Sequence, residues 1–151
     1  MSALSLILAA AAATAPDPGC DDYGTLCLAL AVFSEARGEP VEGQLAVAMV
    51  ALNRVDRELW PDSICDVVEQ HRAFDGLHRW AYPRDPLSID AEAWSNSLDV
   101  AARAISGDLS GVPAECEGAT HFYTGPTPSW AHRMEFRCTV GAHHFLREKR
   151  R

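Results

Sequence analysis

The stretch Phe33-Ser34-Glu35-Ala36-Arg37-Gly38-Glu39-Pro40 restricts the folding of this chain more than any other. It ends one helix, breaks the chain at a glycine and starts a second helix at a proline. Leu26 to Val32, just ahead of it, is almost continuously apolar, so Glu35 falls where a core-packed helix meets a turn. Gly38 suits the left-handed position that closes a helix. Pro40 suits the start of the next one, where its missing N–H costs nothing. A carboxylic acid at such a junction is partly desolvated, which favours its neutral form and raises its pKa. That is the state a general acid needs near neutral pH. A solvated glutamate at a helix end has the same spacing, so spacing alone leaves both roles open.

Around this junction the pattern predicts a first helix over residues 25–37 and a second from Pro40, with Val41, Leu45, Ala48, Leu52 and Val55 forming its apolar face. Ser63 with Asp66 reads as a capping box that opens a short helix through Gln70. Residues 71–87 carry Gly76, Pro83 and Pro86 among charges and aromatics, and read as a long loop of the kind that forms lids or groove walls. A fourth helix is expected from Asp90 to Ser106, stopped by Gly107. The last third changes character. Residues 120–124 and 136–140 are β-prone, and the turn-rich run 125–129 separates them. The expectation is an α+β, mainly helical domain with a small β-hairpin subdomain on one side.

A chain of 151 residues suits one domain with one core. A net charge of −8 excludes general nucleic-acid binding, because there is no basic stripe to displace counterions from phosphates. Residues 1–15 read as an export segment, with an apolar run at Leu4 to Ala9 and a small-x-small site at Ala13-Thr14-Ala15. No Lys or Arg precedes the run and Pro16 follows the cut, so a disordered alanine-rich start is the alternative. The run is too short for a stable membrane anchor. Residues 16–24 read as a linker, 25–147 as the folded domain and 148–151 as a basic tail. Cysteines stand at Cys20, Cys27, Cys65, Cys116 and Cys138, with no CxxC pair for a zinc ribbon. An oxidising compartment makes disulfides natural. Connectivity is not settled by spacing. The pairing expected from position is Cys116 with Cys138, flanking the β region, and Cys27 with Cys65, both on helices, which leaves Cys20 free. Burial of several as small hydrophobes is the alternative.

Further blocks follow the opening motif in order: Gly43-Gln44, Val50 to Val55, Trp60-Pro61-Asp62-Ser63-Ile64, Val67-Val68 with Gln70, Ala73-Phe74, Ala101 to Ile105 with Gly107, Gly118 to Tyr123, Ser129-Trp130, and Gly141 with His143 and Phe145. Together they resemble the spore-cortex-lytic enzyme family of cell-wall hydrolases, the SleB-like catalytic domain, over roughly residues 26 to 146. The resemblance implies a lysozyme-like fold and cleavage of the bond between N-acetylmuramic acid and N-acetylglucosamine in peptidoglycan. It points to Glu35 as the acid, and to a lytic transglycosylase in which the muramic C6 hydroxyl closes the reaction in place of water. That chemistry needs one carboxyl, acting first as acid and then as base. The run Gly118-Ala119-Thr120-His121-Phe122-Tyr123 departs from the family's commoner run of tyrosines, and Thr124-Gly125-Pro126 stands where an Asn-Pro pair is frequent. Those departures bear on sugar contacts, not on the chemistry.

A hydrolytic muramidase would need a second carboxylate. Glu39 is the local candidate, and equally an N-terminal helix charge favoured by the dipole. Sugar rings need aromatic faces and a few polar groups. Phe74, Phe122, Tyr123 and Trp130 are the aromatic candidates, with Gln44, Asn53, Thr120 and His121 as polar contacts. Phe74 and Phe122 read more readily as core residues, and Asn53 has the alternative of a helix-end cap. The other function classes are a zinc amidase built on His121, His132, His143 and His144, and a non-catalytic wall-binding module. No HExxH motif or i, i+4 histidine pair supports the first, and His143 shares a strand face with Phe145 as a core residue would. The reading is therefore an exported enzyme of the periplasm, cell wall or medium, or a phage lysis enzyme. It would act as a monomer on glycan strands, with no metal and no cofactor.

Overall fold

The computed structural model describes residues 22–70 and 86–149. Four α-helices and a three-stranded antiparallel sheet make up the described chain: α1 (Asp22–Ala36), α2 (Val41–Val55), α3 (Ile64–Glu69), α4 (Pro86–Ile105), β1 (His121–Thr124), β2 (Met134–Val140) and β3 (His143–Glu148). A single turn of 3-10 helix at Ala114–Cys116 leads from α4 toward the sheet, and a second 3-10 stretch at Ser129–Arg133 connects β1 to β2. The export segment, most of the linker with Cys20, and the loop carrying Phe74 lie outside the described residues.

Helix α1 runs through the middle. Every residue from Leu26 to Phe33 is 5% exposed or less. A helix apolar all round has to be covered all round, and α2, α3 and α4 pack against it. Phe33 meets Trp94 of α4 edge to face at 5.9 Å. Gly38 does not take the left-handed cap expected of it. The turn closes instead through the Glu39 N–H on the Ala36 carbonyl at 2.9 Å, and α2 begins directly behind Pro40.

The capping box at Ser63 is formed: its hydroxyl oxygen accepts the Asp66 N–H at 3.1 Å and donates to the Asp66 carboxylate at 2.7 Å. Asp90 breaks the start of α4 with extended backbone (φ −161°, ψ 93°) and caps the main helix, accepting the Ala93 N–H at 2.9 Å. At the other end Gly107 (φ 86°) closes α4, with its N–H on Ala104 and that of Asp108 on Arg103. That is the paired closure a left-handed glycine permits.

The strand order is β1-β3-β2. The two stretches expected to form a hairpin therefore do not pair with each other; β3 lies between them. Its sequence explains this: His143, Phe145 and Leu146 are all buried, as suits a central strand, whereas β2 exposes Phe136 at an edge. One face of the sheet, with Phe122, Cys138, His143 and Phe145, packs on the helices. Two disulfides form, Cys27–Cys65 between α1 and α3, and Cys116–Cys138 between the turn after α4 and β2. Both match the pairing expected from position.

Candidate active site

Glu35 stands in the last turn of α1 and is half-buried. The final carbonyls of a helix have no partner within it. That of Glu35 receives a hydrogen bond from the ring of His143, at the start of β3. Burial holds His143 neutral, against the pull of the Glu39 carboxylate and of that carbonyl. Arg37, one residue past the helix end, lays its guanidinium over the Phe33 ring at 4.8 Å.

Glu39 is occupied by structure. Its Oε2 accepts the Ala142 N–H at 2.9 Å, and its Oε1 lies 3.8 Å from His143 Nδ1. Its main-chain carbonyl accepts from Gln44 Nε2 at 2.9 Å. Gln44 is 6% exposed, and its Oε1 finds no partner among the described residues. The β2–β3 turn presses so close that a Cβ on Gly141 would run into Glu39 Oε2, and Gly141 itself has φ 57°. The backbone favours glycine there, and any side chain would also displace the Glu39 carboxylate.

A second network ties the end of α2 to the start of β1. Asn53 Nδ2 donates to the Ala119 carbonyl at 2.7 Å, and Arg54 Nε to the Thr120 carbonyl at 2.7 Å. Arg57 reaches Glu148 of β3 at 2.8 Å and the Gly118 carbonyl at 3.1 Å. Thr120 is fully buried. Its hydroxyl lies 3.0 Å and 3.1 Å from the two Glu148 carboxylate oxygens, and 3.0 Å from His121 Nδ1. The hydroxyl has one proton, which goes to the carboxylate; His121 Nδ1–H is then the donor on the other side.

Burial, with Arg54 next, pushes the His121 pKa down to about 4, although Glu148 at 3.5 Å pulls the other way. Arg57 is already paired with that carboxylate, and with its pKa near 4 His121 is neutral, so the close pair is not an ion pair at pH 7. Burial also lowers Arg54 to about 10, offset in part by Glu148, which leaves it charged.

On the outer face of the sheet five rings stand in a row. Trp60 meets His121 at 6.0 Å, His121 meets Trp130 at 5.7 Å, Trp130 meets Tyr123 at 6.0 Å, and Tyr123 meets His144 at 4.9 Å. All five are partly exposed. Strand alternation sends Phe122 to the opposite face, against His143 at 5.2 Å and Phe145 at 6.0 Å.

The candidate residues thus fall into three groups. Glu35, Glu39 and Gln44 gather at the α1–α2 junction. Asn53 and Thr120 tie elements together through buried or half-buried contacts. His121, Tyr123 and Trp130 share the ring row. Glu148 and Arg57 were not singled out in the sequence, Trp60 stood there only within a family block, and His144 only as a metal-ligand alternative. Only a known strand order would have pointed to Glu148, or placed His144 in the ring row. Among the described residues no three His, Cys, Asp or Glu side chains gather as a metal site. No described helix is long and apolar enough to cross a membrane.

The Cell Wall Hydrolase family profile matches residues 38–146, beginning just after Glu35. The spore cortex-lytic enzyme of Oceanobacillus iheyensis is 32% identical over 123 residues, covering 80% of this chain and 40% of that protein. That of Halalkalibacterium halodurans is 32% identical over 115 residues, covering 76% of this chain and 31% of that protein. This chain therefore spans well under half the length of either relative. Among solved structures, the catalytic domain of the germination-specific lytic transglycosylase SleB from Bacillus anthracis superposes with a TM-score of 0.59 at 25% identity, over 88% of this chain and all of that one. The Bacillus cereus SleB catalytic domain gives 0.59 and 25%, over 87% of this chain and 94% of that one. The fold is accordingly of the lysozyme-like α+β class.

Proposed function

This chain belongs to the cell wall hydrolase family, and from that premise we propose that it cleaves the β-1,4 bond between N-acetylmuramic acid and N-acetylglucosamine in peptidoglycan, as a lytic transglycosylase with Glu35 as its acid. The observation that carries the mechanism is the state of the other nearby carboxylate. Glu39 is engaged by the Ala142 amide and by its approach to His143. A nucleophile or a base that activates water would have to be free to face the sugar. With Glu39 committed elsewhere, a one-carboxyl route fits the junction better than a two-carboxyl one.

In that route the Glu35 carboxyl gives its proton to the glycosidic oxygen, and the N-acetylglucosamine leaves with a free 4-hydroxyl. Positive charge develops at C1 of the muramic residue. The Glu35 carboxylate then takes the proton of the C6 hydroxyl as O6 bonds to C1, which closes a 1,6-anhydro ring. No water is consumed and Glu35 ends protonated, ready for another turnover. The SleB domain it resembles is described as a lytic transglycosylase, which supports the same outcome here. The partly exposed rings of Tyr123, Trp130 and His121 offer faces on which sugars stack. Its substrate lies outside the cytoplasmic membrane, in keeping with export.

Mass spectrometry of muropeptides released from purified peptidoglycan tests this, with wild type and Glu35→Gln side by side. Products ending in anhydromuramic acid, lighter by one water and lost in the variant, are expected. The Gln variant keeps the shape and removes the proton, so turnover should fall by at least about a thousandfold while the fold survives. Hydrated reducing ends would make the enzyme a muramidase, freed stem peptides an amidase, and an active Glu35→Gln would remove Glu35 from the mechanism.

A further inference from the structure

His143 is a buried titratable side chain that the proposed chemistry does not use. It is 2% exposed, its ring packs against Phe122 at 5.2 Å and Phe145 at 6.1 Å, and it donates a hydrogen bond to the main chain of Glu35 in the helical lobe. On its other side Nδ1 faces Glu39 Oε1 at 3.8 Å, too far for a direct hydrogen bond. Glu39 closes the circuit through Ala142, the residue just before His143. The chain of contacts therefore runs from the Glu35 carbonyl to His143, through the Gly141-Ala142 turn to Glu39, and back along the α1–α2 turn. It couples the last turn of α1 to the β2–β3 turn at the residue that carries the acid.

We infer that His143 and Glu39 are positioning residues for Glu35: together they lock the end of α1 so that the Glu35 carboxyl is held in its half-buried site and aimed at the scissile bond. This rests on Glu35 being the acid. Two features suit the role. A ring 2% exposed and packed against two phenylalanines has little room to turn, so its N–H offers the helix end one direction. A neutral ring also tethers the acid without placing a cation beside it, and a cation there would favour the Glu35 carboxylate and spoil the acid. The titratable groups that face the ring are Glu39 from the helical junction and His144, its neighbour in β3; Glu35 meets it through its main-chain carbonyl.

Kinetics on purified peptidoglycan with His143→Ala, Glu39→Ala and Glu39→Gln test the inference, each fold being checked by circular dichroism. Small misplacements of a catalytic group lower turnover steeply, so kcat should drop about tenfold or more in His143→Ala and Glu39→Ala, with KM within about twofold. An acid freed into water loses its proton more readily, so the alkaline limb of the pH–rate profile should move to lower pH by about half a unit or more. Glu39→Gln keeps an oxygen for the Ala142 amide and should recover kcat to within about threefold of wild type.

A wild-type kcat and profile in folded His143→Ala overturns the inference. So does a loss of activity with the limb unmoved, since that is how simple destabilisation behaves. Should His143→Ala not fold, the Glu39 pair decides alone. Equal losses in Glu39→Ala and Glu39→Gln, as deep as in Glu35→Gln, would make Glu39 a chemical participant and overturn it also. An active Glu35→Gln instead brings down the parent reading, so the two failures are distinguishable.

Discussion

At the scale of single residues, the buried imidazoles govern how this protein responds to acid. His121 has a pKa of about 4 in the fold against 6.5 when free, chiefly because burial disfavours its cation and because Arg54 stands close. A group whose folded pKa is lowered contributes stability that is complete above its free pKa and is lost as pH falls toward the folded one. The unfolded chain takes up the proton first, so stability should decline between about pH 6.5 and pH 4. His143 is shifted the same way and adds to the decline. Allowing for the 29% exposure of the His121 side chain, its share is on the order of 2 kcal/mol. Urea unfolding at pH 7.5 and at about pH 4.5 measures the difference, and His121→Gln should remove about half of it or more. A flat stability across that window would mean the histidine is charged in the fold. Carboxylates such as Asp108 and Glu135, held down by arginine hydrogen bonds, matter only at lower pH.

At the scale of elements, the helices were legible in the sequence and the sheet was not. Local chemistry marks helix ends: Pro40 opens α2, Ser63 caps α3, Asp90 caps the main part of α4 and Gly107 closes it. Each of those signals acts within a few residues. Strand order is a long-range property, and 120–124 followed by 136–140 reads as a hairpin because nothing local says that residues 143–148 must sit between them. The site divided along the same line. The helix-end position of Glu35 was legible locally and its role as the acid came from the family resemblance, whereas the partners of Glu39 lie about a hundred residues on, across a turn visible only in the fold. That turn makes its own prediction. At Gly125 (φ 71°) no described atom lies within 4 Å of a Cβ, so Gly125→Ala carries only the left-handed backbone penalty, about 1 kcal/mol. Gly141→Ala adds the displacement of Glu39 and the loss of its bond to Ala142, raising the cost to about 2–4 kcal/mol. Comparison of the two variants by urea unfolding isolates the Glu39 contact, and equal costs would show that it contributes nothing.

At the scale of the whole molecule, two disulfides divide the work of holding the lobes. Cys27–Cys65 closes 38 residues and fastens α3 to the central helix; Cys116–Cys138 closes 22 and fastens β2 to the turn after α4. By restricting the unfolded chain, loops of that size stabilise by about 3–4 kcal/mol each. That is a large part of the 5–15 kcal/mol typical of a whole domain. Removal of either pair by Cys→Ala substitution should lower the melting temperature by roughly 10 °C. Cys27 and Cys116 are wholly buried, so reductant added to the folded protein will act only as fast as the chain opens, and paired variants give the cleaner measurement. Unchanged melting in both would deny the bridges a structural role and weaken the case for an oxidising compartment. The two pairs should differ in activity. β2 runs into the Gly141-Ala142 turn that grips Glu39, so losing Cys116–Cys138 should depress kcat at temperatures where the variant is fully folded. Cys27–Cys65 lies two turns of α1 away from Glu35, and its loss should cost stability alone. Equal kcat in the two variants would mean that the β2–β3 turn is held by its own contacts with the helical junction, independently of the bridge that anchors its strand.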